Sequence, residues 1–163
     1  MKFLKKSKMT TFVKWFLLNA ILLTAIFFAE QKGALSTMVK NDVSHLTIAI
    51  ISLYFLVTCF IGHIAYKADV AVKTKDRREL SKRAEVGWFC AEHFFSLGLL
   101  GTIIGLCVAT KGNLSDSVSV SQVVAGLKHG LNTAFYTTIC GIVFSLLLQL
   151  QLMLLKFELD TEE

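Results

Sequence analysis

Four stretches of this chain are long and apolar enough to cross a lipid bilayer as helices. A crossing helix needs about 20 mostly apolar residues. Residues 12–29, 46–66, 89–110 and 131–155 meet that demand, and the last stretch carries no charged residue. They do not alternate apolar with polar positions, and they are too long for barrel strands. Of the 163 residues, 54% are hydrophobic and 18% charged, and the charge is concentrated between the apolar blocks. A soluble domain disperses its apolar residues by helical or strand period instead. The chain contains no proline, which suits long uninterrupted helices. The expectation is an all-α membrane protein with four transmembrane helices, residues 1–163 forming one transmembrane domain.

The basic residues set an orientation. Lys2, Lys5, Lys6, Lys8 and Lys14 precede or open the first span. Lys67, Lys73, Lys75, Arg77, Arg78, Lys82 and Arg83 lie in or at the start of the connection 67–87, and Lys156 follows the fourth span. That places 13 on one side, against Lys32, Lys40, Lys111 and Lys128 on the other. The positive-inside rule then puts both termini and the 67–87 connection in the cytoplasm. Trp15 and Trp88 fall at that same interface, where indoles settle, and Lys14 can snorkel to it. The first span with its lysines could also serve as a signal peptide, but it is long for one and no A-x-A site follows. The connection is free of helix breakers and is expected to extend the second and third helices as a solvated basic hairpin, with docking of a partner as the sharper alternative. Glu158, Asp160, Glu162 and Glu163 read as a solvated acidic tail. The net charge of +5 flanks spans rather than forming a basic face, so nucleic acid is not an expected partner. Cys59, Cys90, Cys107 and Cys140 show no CxxC or zinc spacing and read as small buried hydrophobes.

Within the third and fourth spans, small residues recur on one helical face. Gly98, Gly101, Gly105 and Ala109 are spaced by three, four and four, with Thr102 beside them. Gly126, Gly130, Ala134, Thr138, Gly141 and Ser145 are spaced by four, four, four, three and four, with Thr133 and Thr137 alongside. This fourth helix is expected to begin before its apolar run, near Ser117, with Asp116 or Ser117 as N-cap. Helices in lipid associate through close packing of small residues and through polar contacts. A glycine inside a helix costs about 1 kcal/mol relative to alanine, so two glycine stripes mark a need for close approach. Simple helix packing accounts for the spacing, and the threonines could back-bond to their own helices. Lining of a pore is the alternative.

Charge inside the spans is scarce. Glu92, His93 and His63 lie near the expected cytoplasmic ends and read as interfacial. No Asp or Glu lies near the centre of a span, whereas a self-sufficient proton carrier needs a titratable group there. If protons pass, another chain supplies the acid. There is no nucleophile–base set, metal cluster or phosphate loop, so neither enzyme activity nor a cofactor is expected.

The segment Leu97-Gly98-Leu99-Leu100-Gly101-Thr102-Ile103-Ile104-Gly105-Leu106 closely resembles the LGLLGTVxG segment of the MotA/TolQ/ExbB proton-channel family. Residues 130–142, with Thr138-Ile139-Cys140-Gly141-Ile142, resemble that family's second motif, and the spacing between the two also fits. The resemblance covers residues 88–150. It implies a homopentamer surrounding two copies of a single-span partner like ExbD, TolR or MotB, which carries the essential membrane aspartate. It implies multi-pass placement in the bacterial cytoplasmic membrane, ion flow that drives rotation of the pentamer around the dimer, and Thr102 and Thr138 as pore threonines. Thr137 and Thr133 are secondary candidates on this pathway. The transported ion would be H⁺, with Na⁺ as the alternative.

The chain departs from the family in three places. The acidic residue often found five positions before the second threonine is Thr133 here. The proline that usually follows this helix motif is absent. Four spans with both termini inside resemble MotA, yet the 67–87 connection is too short for a torque-transmitting domain, so the expectation is a minimal family member. A holin-like or scaffold protein that self-associates through its small-residue stripes is the competing reading. A small transporter is disfavoured by the lack of broken helices and of an internal repeat.

Overall fold

With no proline to interrupt them, the apolar blocks fold as long helices that end at glycine, at polar turns or in connections. The computed structural model describes residues 10–42, 44–70, 74–111 and 119–160. Five helices follow in order: α1 (Thr10–Gln31), α2 (Ala34–Asn41), α3 (Leu46–Val70), α4 (Thr74–Lys111) and α5 (Val120–Asp160). No strand occurs among the described residues. Four of the helices, all but α2, are long and apolar enough to cross a membrane. The expected caps Asp116 and Ser117, the cations Lys2, Lys5, Lys6, Lys8 and Lys73, and the terminal Glu162 and Glu163 lie outside the described residues.

The charged connection continues the neighbouring helices, leaving only residues 71–73 between α3 and α4. At 1.5 Å per residue the 38-residue α4 is about 57 Å long, roughly twice a bilayer core. Its charged first half therefore projects beyond any membrane as a stiff extension. The short α2 has no counterpart in the sequence reading. Gly33, in the left-handed region at φ 73°, turns the chain out of α1, and the eight residues that follow are too few and too polar to register as a span.

A single geometric rule aligns the three central helices. In α4 the buried positions are Leu80, Ala84, Gly87, Ala91, Phe94, Gly98, Gly101, Gly105 and Ala109, alternating by four and three as far as Gly105. In α5 they include Gly130, Ala134, Thr137, Gly141, Phe144, Leu148, Gln151 and Leu155, with the same alternation. In α3 they include Ile50, Tyr54, Val57, Ile61, Ile64 and Ala68. This 3.5-residue period is the seam of helices that pack lengthwise. The α4–α5 seam is the most extensive, and α3 lies against both. The glycines of α4 are therefore the membrane half of a seam that begins at Leu80.

Helix α1 is held chiefly at its N-terminal end. The Thr11 and Phe12 amides donate to the Asp69 carboxylate of α3 at 3.0 and 2.8 Å. That satisfies two of the amides a helix start leaves without partners. The Trp15 indole packs against Gly62, where an added Cβ would collide with its ring. Trp15 Nε1 donates to Gln151 Oε1 at 3.1 Å, and Gln151 Nε2 donates to Tyr54 Oη at 3.3 Å or Thr58 Oγ1 at 3.4 Å. Beyond this end, Phe16, Leu17, Ile21, Phe27 and Phe28 face outward, as on a helix that is apolar all round and bounded by lipid.

Two sequence expectations need correction. Glu158 is not a solvated end: it is largely covered and forms an ion pair with Lys14, tying α5 to α1. Of the four cysteines only Cys140 is buried; Cys90 is half-buried, and Cys59 and Cys107 lie on outward faces. Helices in lipid need not turn a small apolar thiol inward, because lipid solvates it as readily as a core does.

At the opposite end Asp42 caps α3. Its carboxylate accepts from the Thr47 amide at 2.7 Å and from the Ser44 amide and hydroxyl at 2.9 and 2.5 Å. Burial pushes this carboxyl up, but the Ser44 hydroxyl and the backbone amides outweigh it and hold Asp42 below its ordinary value. A lowered carboxylate stabilises the fold above its unfolded value, and that contribution disappears as pH falls through the folded value. Acidifying the detergent-solubilised protein below about pH 4 should therefore loosen the start of α3, seen as faster amide exchange at 46–49. Asp42→Asn should show that loosening already at neutral pH and should remove its acid dependence.

Candidate functional site

The α4 and α5 backbones meet where their seams carry glycine. A Cβ added at Gly98 would lie 3.1 Å from the Thr137 carbonyl and 3.2 Å from Gly141 Cα. One added at Gly105 would lie 2.6 Å from both the Ala134 nitrogen and the Gly130 oxygen. At Gly141 it would lie 2.8 Å from Gly98 Cα and from the Phe94 carbonyl. Backbone meets backbone at each point, so no side chain can move to admit the extra atom. Ala134 and Ser145 are also buried, and Ser145 Oγ donates to the Ala91 carbonyl across the interface at 2.7 Å. Gly126, one turn before Gly130, is only half-buried.

The four threonines divide into two pairs. Thr133 and Thr137 are fully buried. Thr137 lies on the seam, covers Gly101, and donates to the Thr133 carbonyl at 2.8 Å. Thr133 donates to the Asn41 carbonyl at the end of α2, 3.2 Å away. Thr102 and Thr138 stand one position beyond the seam residues Gly101 and Thr137, and both are half-exposed. Their hydroxyls are in direct contact. The sequence reading drew the α5 stripe through Thr138, whereas the close contact runs through Thr137. A 3.5-residue period steps to position 137 and leaves 138 at the rim.

The rim pair has an unusual degree of choice. Thr138 Oγ1 lies 2.9 Å from the Ala134 carbonyl and 3.4 Å from that of Gly98. Thr102 Oγ1 lies 3.3 Å from the Gly98 carbonyl and 3.4 Å from that of Ala134. Each hydroxyl thus reaches the carbonyl of its own helix, the carbonyl of the other helix, and its partner hydroxyl. Two protons serve these acceptors, so the pattern can switch by hydroxyl rotation alone. The pair can donate to a carboxylate, accept from a carboxylic acid or water, or present oxygens to a cation.

The regions around both threonines, and most of the seam, lie in one matched segment. A family model described as the MotA/TolQ/ExbB proton channel family matches residues 69–163. The chain belongs to that family. The match takes in α4, α5 and the end of α3, while α1, α2 and nearly all of α3 precede it. No curated protein and no solved structure matches the chain. With four apolar helices in a channel family, this is a multi-pass membrane protein. Among the described residues no group of three or more His, Cys, Asp or Glu side chains could hold a metal ion.

Sequence reasoning passed over several residues that organise the site. Gly62 and Gly87 are packing glycines without a GxxxG partner; Gly87 makes room for Leu152. Gln151 links α1, α3 and α5 from a fully buried position. A glutamine inside a charge-free apolar span is a usable signal, because a polar group there needs bonded partners.

The glycine contacts differ in tolerance. Alanine at 98 meets backbone at 3.1–3.3 Å, tighter than ordinary contact, so the helices must part by a few tenths of an ångström, a cost that the gain of about 1 kcal/mol in helix preference offsets in part. Alanine at 105 meets backbone at 2.6 Å on both sides, and such overpacking costs about 1–3 kcal/mol. Thermal unfolding in detergent should therefore show a larger drop in midpoint for Gly105→Ala than for Gly98→Ala.

Proposed function

We propose that this chain is the channel and motor subunit of an ion-driven membrane complex. Five copies would surround two copies of a single-span partner that carries a membrane aspartate. The 13-to-4 division of basic residues supports both termini on the cytoplasmic side, and the family supports a bacterial inner membrane. The observation that carries the reading is the switchable Thr102–Thr138 hydroxyl pair at the open rim of the α4–α5 seam, in a chain without a carboxylate at mid-span.

In this reading the partner's aspartate approaches the rim. When protonated it donates to a threonine oxygen; when ionised it accepts from a threonine hydroxyl. The pair rotates its protons to suit either state and so lowers the cost of exposing the acid to the pathway on each subunit in turn. Passage of H⁺ past successive subunits would then drive rotation. Thr133 and Thr137, enclosed within the chain, act on this pathway by fixing the helix spacing that holds the rim pair in place. Na⁺ is the alternative ion, since a hydroxyl and carbonyl set also suits a small cation.

The chain, tagged and purified from its native membranes, should carry a single-span protein at about five to two by native mass spectrometry. Liposomes containing that complex should take up protons when a membrane potential is applied. Thr102→Ala and Thr138→Ala should each slow uptake at least tenfold while the complex stays intact. Loss of one hydrogen bond to a charged group is worth about 1.5–3 kcal/mol, consistent with that size. Thr138→Ser should keep most of the flux. Permeability that needs no partner and ignores both alanine substitutions would instead favour a self-associating scaffold or holin-like pore.

A further inference from the structure

Below the threonine pair, toward the end where the charged hairpin projects, a groove of about 420 Å³ runs between α4 and α5. It is lined by Glu92, Phe95, Ile142, Ser145, Leu146 and Gln149. It begins at Ile142, one helical turn from Thr138, and reaches Glu92, ten residues from Thr102, or about 15 Å along the axis. On α5 the positions 138, 142, 145 and 149 share one face, so Thr138, Ser145 and Gln149 form an interrupted polar track on one wall. Gln149 Nε2 donates to Ser145 Oγ at 3.3 Å. On the other wall Glu92 is exposed and makes no hydrogen bond or ion pair among the described residues. The adjacent His93 is occupied elsewhere, with Nδ1 2.7 Å from the Phe89 carbonyl and its ring against Phe89.

A carboxylate inside an apolar helical segment is costly when it faces lipid, and such groups face the bundle interior or a water-filled path instead. Glu92 lies near the cytoplasmic end of its span, where it lines the groove. It faces a groove wide enough for several waters, each of which occupies about 30 Å³ in the liquid. The groove is mostly apolar, with Gln149 beside the Ala91-bonded Ser145 as its polar stretch, and its upper end lies one helical turn from Thr138.

We propose that Glu92 is the exit relay of the ion pathway, the ionisable group that carries protons from the Thr102–Thr138 rim to the cytoplasmic side. The proposal rests on the channel reading above. The Glu92 carboxylate takes a proton from water in the groove, becomes the neutral acid, and releases that proton to water at the hairpin end. The carboxylate is thereby restored, and one proton has crossed the groove with no other change. Because the pathway enters through a hydroxyl pair and a partner acid but leaves through a fixed carboxylate, removing Glu92 blocks transfer without altering capture of the partner.

The experiment uses the complex purified from native membranes and sealed in liposomes, with internal pH followed under an applied potential. Glu92→Gln keeps the shape and hydrogen bonding of the side chain but not its titration. It should slow proton uptake at least tenfold with the partner retained at wild-type ratio, and Glu92→Asp should keep uptake within about threefold of wild type. Uptake by Glu92→Gln within twofold of wild type would overturn the proposal, as would equal loss in Gln and Asp variants. Failure of the Gln variant to retain the partner would assign Glu92 to assembly and also overturn it. The threonine variants separate the two readings. If they block uptake and Glu92→Gln does not, only the relay falls. If the wild-type complex takes up no protons, the channel reading falls with it.

Discussion

Where α4 and α5 cross, Gly98 faces the backbone of Thr137 and Gly141, and Gly105 faces that of Gly130 and Ala134. At these points backbone approaches backbone, with only Ala109, Ala134 and Thr137 contributing side-chain atoms between the glycines. In water, such a contact would forgo the apolar burial that larger residues provide. In lipid, burial gives little advantage, since the acyl chains are as apolar as leucine, and close van der Waals contact becomes the source of attraction. The glycines weaken each helix taken alone and strengthen the pair. The same proximity puts the Thr102 and Thr138 hydroxyls within reach of both the Gly98 and Ala134 carbonyls. A pair held farther apart by leucines would leave each threonine bonded only to its own helix.

Polar groups secure what the glycines bring together. Ser145 bonds to the Ala91 carbonyl across the seam, Gln151 joins Trp15 of α1 to Tyr54 and Thr58 of α3, and Asp69 holds the start of α1. Each of these groups would be costly if left unpaired in a medium that offers no hydrogen bonds. Their pairing therefore fixes register more sharply than apolar contact does. Apart from Ser145 these ties cluster toward the end where the charged hairpin lies, while the outward face of α1 is left to Phe16, Ile21 and Phe27. A firm α4–α5 unit with α3 against it and a more loosely attached α1 is the arrangement that results.

The spans were legible in the sequence because each is an uninterrupted apolar block, and the missing proline foretold the continuous α4. The glycine motif was legible because Gly98, Gly101 and Gly105 keep the period of a seam. What misled was the α5 stripe. Small residues at 130, 134 and 138 satisfy an i, i+4 count, yet the true seam steps by three from Ala134 to Thr137, and residue type could not choose between two adjacent threonines. The helix α2 was missed because eight residues, half of them polar, are too short to register as a span. Gly62 and Gly87 were missed because each serves one large neighbour, Trp15 or Leu152, rather than another helix backbone. The contact between Thr102 and Thr138 depends on how two distant segments are staggered, and a family resemblance, not spacing, is what singled out those two from the four threonines.

A hydroxyl pair cannot store a charge near neutral pH, so a site made of Thr102 and Thr138 must work on charge brought to it. That requirement explains the geometry better than a closed polar core would. Thr133 and Thr137, fully buried with their protons donated inside the chain, are out of reach of a visiting group. The rim pair has more acceptors than protons and an open side, which is the state of a surface waiting for a donor or an ion. Its position, one residue off a seam whose backbones touch, also makes it stiff, because neither helix can rotate without driving Gly98 into Gly141 or Gly105 into Gly130. A site that must meet the same acid repeatedly needs constant geometry in the scaffold and freedom only in the protons. Hydroxyl rotation between two fixed carbonyls provides that division.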